Sequence, residues 1–355
     1  MNKTTSFTQP GYLASIFAAV CICISGASPA HAAIPPKDEP IRIIFDTDLG
    51  NDVDDVLALA IIHALADRAD CELLAVTCTK PSELAVPLID AINRFYGRPV
   101  PMGITRQELK DPPGKFLAMI EAREKGKVLY PHRVKRSSQV PFADQLLRKI
   151  LSSQPDQSIV MVQVGYFSNL AVLLETPGDE ISPLTGRELV RRKVRLLSVM
   201  AGGFDPGEHR REYNVIKDLP AAKKVSAEWP TPIVWSGHEI GRVVPYPASS
   251  IRQDYSYVLH HPVAEAYYLY EPPPHERPTW DLTSVLYAVY PERGYFGLSE
   301  PGSVTVEADG FTKFVPSASG RDRYLTLNEV QIARVKEAFV QLSSRPPRGF
   351  KAKTR

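Results

Sequence analysis

Ile41-Arg42-Ile43-Ile44-Phe45-Asp46-Thr47-Asp48-Leu49-Gly50-Asn51-Asp52-Val53-Asp54-Asp55 decides the fold of this chain. A short apolar run breaks into carboxylates and leads into Val56-Leu57-Ala58-Leu59-Ala60, which reads as strand, acidic turn, helix. Asp46, Asp48, Asp52, Asp54 and Asp55 stand five in ten residues, so their mutual repulsion raises pKa values unless a cation neutralises them. Capping a helix start calls for fewer acids than this. Carboxylate oxygens suit a hard divalent ion, and Ca²⁺ tolerates irregular loop geometry better than Mg²⁺ does. The expectation is a Ca²⁺-dependent catalytic site at the end of the first strand.

Outward from that stretch, Val53 to Ala66 carries a nearly continuous apolar helix pattern, Leu73 to Thr77 reads as a second strand, and Ala85 to Tyr96 as an amphipathic helix stopped by Gly97. Periodicity is lost from Gly103 to Gln139, a length that suggests a functional loop or lid. It resumes with a helix at Phe142 to Ser152, a strand at Ile159 to Val164 and a helix from Asn169. A strand at Val194 to Met200 then runs into Ala201-Gly202-Gly203, and a helix at Leu219 to Glu228 precedes a strand at Pro232 to Trp235. A late helix starts at Trp280-Asp281. The class is therefore α/β: a mostly parallel open sheet wound with helices, Rossmann-like, with a small C-terminal β-hairpin, Ser303 to Phe314, on its edge. Ligands in such sheets bind beyond the carboxyl ends of the strands, so the loops starting at Asp46, Thr77, Gly165, Ala201 and Ser236 are expected to ring one cleft.

The 355 residues, 44% hydrophobic and 23% charged, suffice for a large folded domain and exclude a disordered chain. A formal charge of +2 asks for no nucleic-acid partner. Lys3, the apolar segment Leu13 to Ile24 and Ala30-His31-Ala32 make residues 1–32 a signal peptide cut near Ala32, which predicts export to the periplasm or the medium. The apolar run is short for a membrane span and no second one follows. Residues 33–340 are read as the catalytic domain and 341–355 as a basic flexible tail. Cys21 and Cys23 leave with the signal. Cys71 and Cys78 flank one strand, with Cα atoms roughly 20 Å apart, beyond the span of a disulfide.

Asp46 to Asp55 resembles the amino-terminal calcium motif of the inosine–uridine-type nucleoside hydrolases, in its longer form. Val164-Gly165-Tyr166-Phe167-Ser168-Asn169-Leu170-Ala171 is similar to the family's central segment, Met200-Ala201-Gly202-Gly203 to its Met-Gly-Gly-Gly turn, and Glu212-Tyr213-Asn214 to its Glu-Phe-Asn. Asp218 to Ala222 resembles the Asp-Pro-Glu-Ala-Ala that follows, and Asp281 takes the place of the last calcium ligand. The likeness spans Ile41 to Tyr290 in the family's motif order. It implies Ca²⁺ bound by Asp48, Asp55, Asp281 and the carbonyl of Val164, and Asp48 as the base that takes a proton from the attacking water. Asp54 would contact a ribose hydroxyl, Glu212 and Asn214 the 3′ or 5′ side of the sugar, and Met200 and Trp280 would also touch substrate. The implied partner is a nucleoside or related N-riboside, and relatives often form dimers or tetramers.

Thr77 to Ser82 lacks the Asn the family places after its second strand, the loop from Met200 to Glu212 is short, and Trp280 stands where many members carry a His acid. Trp280 is either a platform for a stacked purine or a packed aromatic at a helix start. His132, His209 and His238 are the candidate proton donors. An aspartate-nucleophile phosphatase needs a later Ser or Thr, Lys and acidic pair that the chain does not present, and an EF-hand needs Gly and Glu where Asn51 and Leu57 stand. A non-catalytic Ca²⁺- and sugar-binding protein on the same fold, or a hydrolase of another glycoside, stays as the alternative; the intact Asp48, Asp54, Asp55 and Asp281 argue against lost chemistry.

Overall fold

Both faces of the first strand are covered, and that burial organises the molecule. The computed structural model describes Met1, Ser6 and residues 39–205 and 210–350. The expected signal peptide, apart from Met1 and Ser6, and His209 lie outside the described residues. In chain order the strands are β1 (Ile41–Thr47), β2 (Cys71–Cys78), β3 (Met102–Ile104), β4 (Arg123–Glu124), β5 (Lys127–Val128), β6 (Ile159–Gln163), β7 (Val194–Met200), β8 (Ile233–Ser236), β9 (Gly297–Leu298), β10 (Gly302–Val306), β11 (Thr312–Pro316) and β12 (Asp322–Thr326). The helices are α1 (Asp54–Asp67), α2 (Ala85–Phe95), α3 (Ala143–Ser152), α4 (Ser168–Glu175), α5 (Gly186–Lys193), α6 (Tyr213–Lys217), α7 (Leu219–Glu228), α8 (His238–Arg242), α9 (Ala248–Gln253), α10 (Pro262–Tyr270), α11 (Asp281–Val289) and α12 (Glu329–Ser343).

The main sheet runs β11-β10-β12-β8-β7-β6-β1-β2-β3. Its pairings from β8 through β3 are parallel. From β1 the chain winds through β2 and β3 to one side, then returns to β6 and winds through β7 and β8 to the other. The order reverses between β1 and β6, which is where a crevice opens at the carboxyl ends of an open parallel sheet. Side chains alternate between two cores. Ile43, Phe45, Val160 and Val162 join the core under α1, α2, α10, α11 and α12, while Ile44, Met161, Leu197 and Val199 join the one under α3, α4, α5 and α7. Helix α1 is buried from Asp54 to Leu65, which is why its apolar pattern is continuous rather than striped.

The edge hairpin forms as β10 and β11, but β12 inserts between it and β8 and pairs with β8 in parallel. The irregular stretch after Gly103 is not a free lid. Phe116, Leu117, Met119 and Ile120 are buried, and Gly114 lies so close to Gly50 that a Cβ there would meet the Gly50 carbonyl oxygen at 2.0 Å. These anchors are too sparse to give a period, yet they fasten the segment onto the acidic loop. The tail boundary also moves: α12 continues through Leu342 and Ser343, both buried, because its apolar stripe packs on the α1 side. Beyond it, the Arg348 N–H donates to Asp67 and Phe350 packs edge-on against Tyr257 at 5.1 Å. Cys71 and Cys78 are buried free thiols at the two ends of β2.

Candidate active site

The acidic loop leaves β1 at the switch point. Asp46, still in the strand, turns one oxygen to Thr77 Oγ1 at 2.5 Å and Asn169 Nδ2 at 2.7 Å, and so ties β2 and α4 to β1. Burial pushes its pKa up to about 7. Thr47 donates its hydroxyl to Asp55 and accepts the Leu49 N–H at 3.1 Å. Gly165 presses on this turn: a Cβ there would stand 2.5 Å from the Asp48 nitrogen, so only glycine lets the end of β6 come this close. Asp52 pairs with Arg277, which reaches it from the segment before α11.

The opposite wall is the start of α11. Asp54 Oδ2 accepts the backbone N–H groups of Trp280 at 2.9 Å and Asp281 at 3.2 Å, so a residue of α1 supplies the cap that α11 lacks locally. The Trp280 indole N–H donates to the His238 carbonyl at 2.8 Å, its ring lies 5.3 Å from the His238 ring, and the Arg277 guanidinium sits 5.0 Å over it. Asn214 Nδ2 donates to the carbonyls of Val164 at 2.8 Å and Met200 at 3.1 Å, linking the ends of β6 and β7. Glu212 caps α6, with oxygens on the N–H groups of Asn214, Val215 and Gly202. Burial raises its pKa to about 7 against those hydrogen bonds.

These parts enclose a cavity of about 410 Å³ lined by Asp48, Asp54, Asp55, Val164, Met200, Glu212, Asn214, Trp280 and Asp281, the nine positions expected from the sequence to hold metal or sugar or to touch the base. The loop after β2 contributes no lining residue among the described ones. Lys80 instead turns inward to Asp111 and the Pro112 carbonyl. His132 points its Nδ1 at the Tyr130 carbonyl, 2.7 Å away, and does not line the cavity, whereas His238 does. Burial and the neighbouring arginines hold the His238 pKa down to about 4, so it is neutral at physiological pH.

The floor is strongly acidic. Asp48, Asp54, Asp55 and Asp281 are each at most 5% exposed. Burial pushes Asp48 up to about 7, with Asp111 adding and Lys80 opposing. Burial and then neighbouring carboxylates push Asp54, Asp55 and Asp281 well above the usual range. Oδ2 of Asp48 and Oδ2 of Asp55 have no hydrogen-bond partner among the described residues. Asp54, Asp55 and Asp281 offer oxygens within 4.8 Å of one another, a spacing that fits one metal ion. Buried carboxylates with free oxygens and no paired cation fit a hard divalent ion, which removes their mutual repulsion.

Sequence reading missed the cationic and aromatic parts of the wall, Arg210, Arg211, Tyr270 and Arg277. Arg210 and Arg211 directly precede the Glu212 motif and Arg277 stands three residues before Trp280, so proximity to motifs was the available signal. It also missed that Asp54 works as a cap, because the partner lies more than two hundred residues away.

The profile of the inosine-uridine preferring nucleoside hydrolases matches residues 43–314. No curated protein matches the chain at a significant level. Among solved structures, the inosine-uridine preferring nucleoside hydrolase from Bacillus anthracis is 18% identical with a TM-score of 0.63, the alignment covering 85% of this chain and 99% of that one. The purine-preferring ribonucleoside hydrolase from Gardnerella vaginalis is also 18% identical, with a TM-score of 0.65 over 85% and 98%. The type III effector protein XopQ, solved in complex with adenosine diphosphate ribose, is 15% identical with a TM-score of 0.59 over 87% and 92%.

Proposed function

The chain belongs to the inosine-uridine preferring nucleoside hydrolase family, and we propose that it splits the N-glycosidic bond of ribonucleosides with Ca²⁺ at its acidic floor and Asp48 as the base. The observation that carries this reading is the set of buried carboxylates with unpartnered oxygens where β1 meets the start of α11. Asp55 and Asp281 would hold the ion, with an oxygen of Asp54 within 4.8 Å of theirs, and Asp48 and the Val164 carbonyl, which line the same cavity, would complete the set. A divalent cation held by these residues would supply a water molecule of lowered pKa and positive charge for the ribose hydroxyls.

Asp48 accepts the proton of the attacking water as its oxygen bonds to the anomeric carbon. The carbon–nitrogen bond breaks, its electron pair passes to the base, and a proton reaches the base from solvent. The carboxylates below the ring favour the oxocarbenium-like transition state. Asp54 holds Trp280 and Asp281 in place through Oδ2, leaving its other oxygen for a sugar hydroxyl. Glu212, from its cap of α6, and Asn214, from its bonds to the Val164 and Met200 carbonyls, shape the sugar side.

Purine preference is supported by Trp280, half-buried in the wall with its N–H anchored, so that the indole is fixed as a stacking surface. The Gardnerella protein is purine-preferring by description. Export is supported by Lys3, the apolar run that follows and the Ala30-His31-Ala32 site. Among the described residues no helix is long and apolar enough to cross a membrane. A homo-dimer or homo-tetramer rests on the family resemblance. Incubation with inosine, adenosine, uridine and cytidine tests the activity: free base and ribose should appear, and Asp48→Asn should slow their release at least about 100-fold. Equal rates in the two proteins would remove Asp48 from its role.

A further inference from the structure

Two side chains of the cavity wall carry a charge that a neutral nucleoside does not use. Arg210 and Arg211 stand side by side just before Glu212, both exposed and both lining the cavity. Arg277, the third guanidinium of the wall, is held by Asp52. Arg210 and Arg211 have no ion-pair partner among the described residues. Arg210 lies near enough to His238 to depress its pKa, and Arg211 Nε would stand 3.5 Å from a Cβ on Gly310 in the edge hairpin. The cavity thus runs from a buried acidic floor to an exposed basic rim.

The orientation set out under the proposed function, on which this step rests, leaves one direction open. The 2′ and 3′ hydroxyls face the carboxylate floor and the base faces Trp280, so the 5′ carbon points out toward the rim. Once the floor is neutralised, two guanidiniums with no ion-pair partner among the described residues make the entrance positive, and a guanidinium fork matches phosphate oxygens in geometry as well as charge. We infer that the site takes nucleoside 5′-phosphates in preference to nucleosides, with Arg210 and Arg211 binding the phosphate. Water adds to the anomeric carbon, the base leaves with a proton, and the phosphoester is untouched. The products are free base and ribose 5-phosphate.

The test compares inosine 5′-phosphate with inosine, in low salt and saturating divalent cation, by base release. The expected kcat/KM ratio favours the phosphate by about 10-fold or more, and Arg210→Ala/Arg211→Ala lowers that ratio by about 10- to 100-fold. Arg210→Lys/Arg211→Lys recovers part of it, because charge remains while the bidentate fork is lost. A ratio at or below one, or one unmoved by the alanine pair, overturns the inference. Calorimetry of the Asp48→Asn protein with both ligands separates the two claims. Arginine-dependent preference for the phosphate without base release in the native protein keeps the inference and overturns the hydrolase reading. Base release from inosine with no preference for its phosphate in binding or turnover does the reverse.

Discussion

Asp54 caps the helix that Asp281 begins: its Oδ2 accepts the Trp280 N–H at 2.9 Å and the Asp281 N–H at 3.2 Å. One carboxylate of the acidic loop therefore fixes both the candidate stacking surface and the most distant candidate metal ligand. Asp54→Ala and Asp54→Asn remove the same charge, but an Asn carbonyl still accepts the two amides. The alanine protein should be less stable than the asparagine protein by about 1 kcal/mol in urea unfolding. Equal midpoints would show that the cap contributes nothing.

Lys80 and Asp111 form an ion pair whose two side chains are each 2% exposed, and Lys217 reaches the same carboxylate at 2.9 Å. Tyr213 lies 3.3 Å from Asn51 Oδ1 and 3.4 Å from Asp111 Oδ1, so the pair fastens the segment around Asp111 to the acidic loop and α6. Lys80→Met should cost about 2 kcal/mol, less than full orphaning of a buried carboxylate because Lys217 remains. Lys80→Met/Asp111→Asn should recover most of that loss. Strictly additive single effects would mean that the two do not interact.

The proposed purine preference rests on Trp280. Trp280→Ala should lower kcat/KM for inosine or adenosine by about 10-fold or more, while Trp280→Phe, which keeps an aromatic face but loses the bond to the His238 carbonyl, should retain most of it. Unchanged purine turnover in the alanine protein would make Trp280 a packing residue only.

His63 tests a pH dependence away from the cavity. It is fully buried, 2.8 Å from Asn93 Oδ1, and stacked on Tyr96 with ring centroids 5.0 Å apart. Burial lowers its pKa to about 4. The unfolded chain, with an ordinary histidine near ~6.5, binds more protons between those values, so this contribution is whole above ~6.5 and is lost as pH falls toward 4. Relative to His63→Phe, the native protein should lose on the order of 3 kcal/mol of stability from pH 7.5 to pH 4. Parallel stability curves would contradict it.

The parallel sheet was legible because each strand from β1 through β8 that pairs in it, except the three-residue β3, carries a β-branched or apolar run followed by a turn at its carboxyl end. Strand β12, Asp322–Thr326, was not: Asp322-Arg323-Tyr324-Leu325-Thr326 has little apolar content, and only its insertion between β8 and the hairpin makes it a strand. Candidate site residues were legible where chemistry concentrates them locally, as in Asp48, Asp54 and Asp55. Lys80 gave no signal, since a lysine in a loop usually faces solvent, and Arg277 gave only its place three residues before Trp280; the acids that turn them inward, Asp111 and Asp52, are distant in sequence.

Base release by chelated and Ca²⁺-restored protein tests the proposed role of a divalent cation on Asp48, Asp55 and Asp281. No free base should be detectable from a panel of ribonucleosides after complete removal of divalent ions. Activity should return on adding Ca²⁺, together with a rise in Tm that Asp55→Asn or Asp281→Asn abolishes. Base release that persists at an unchanged rate in fully chelated protein would contradict it.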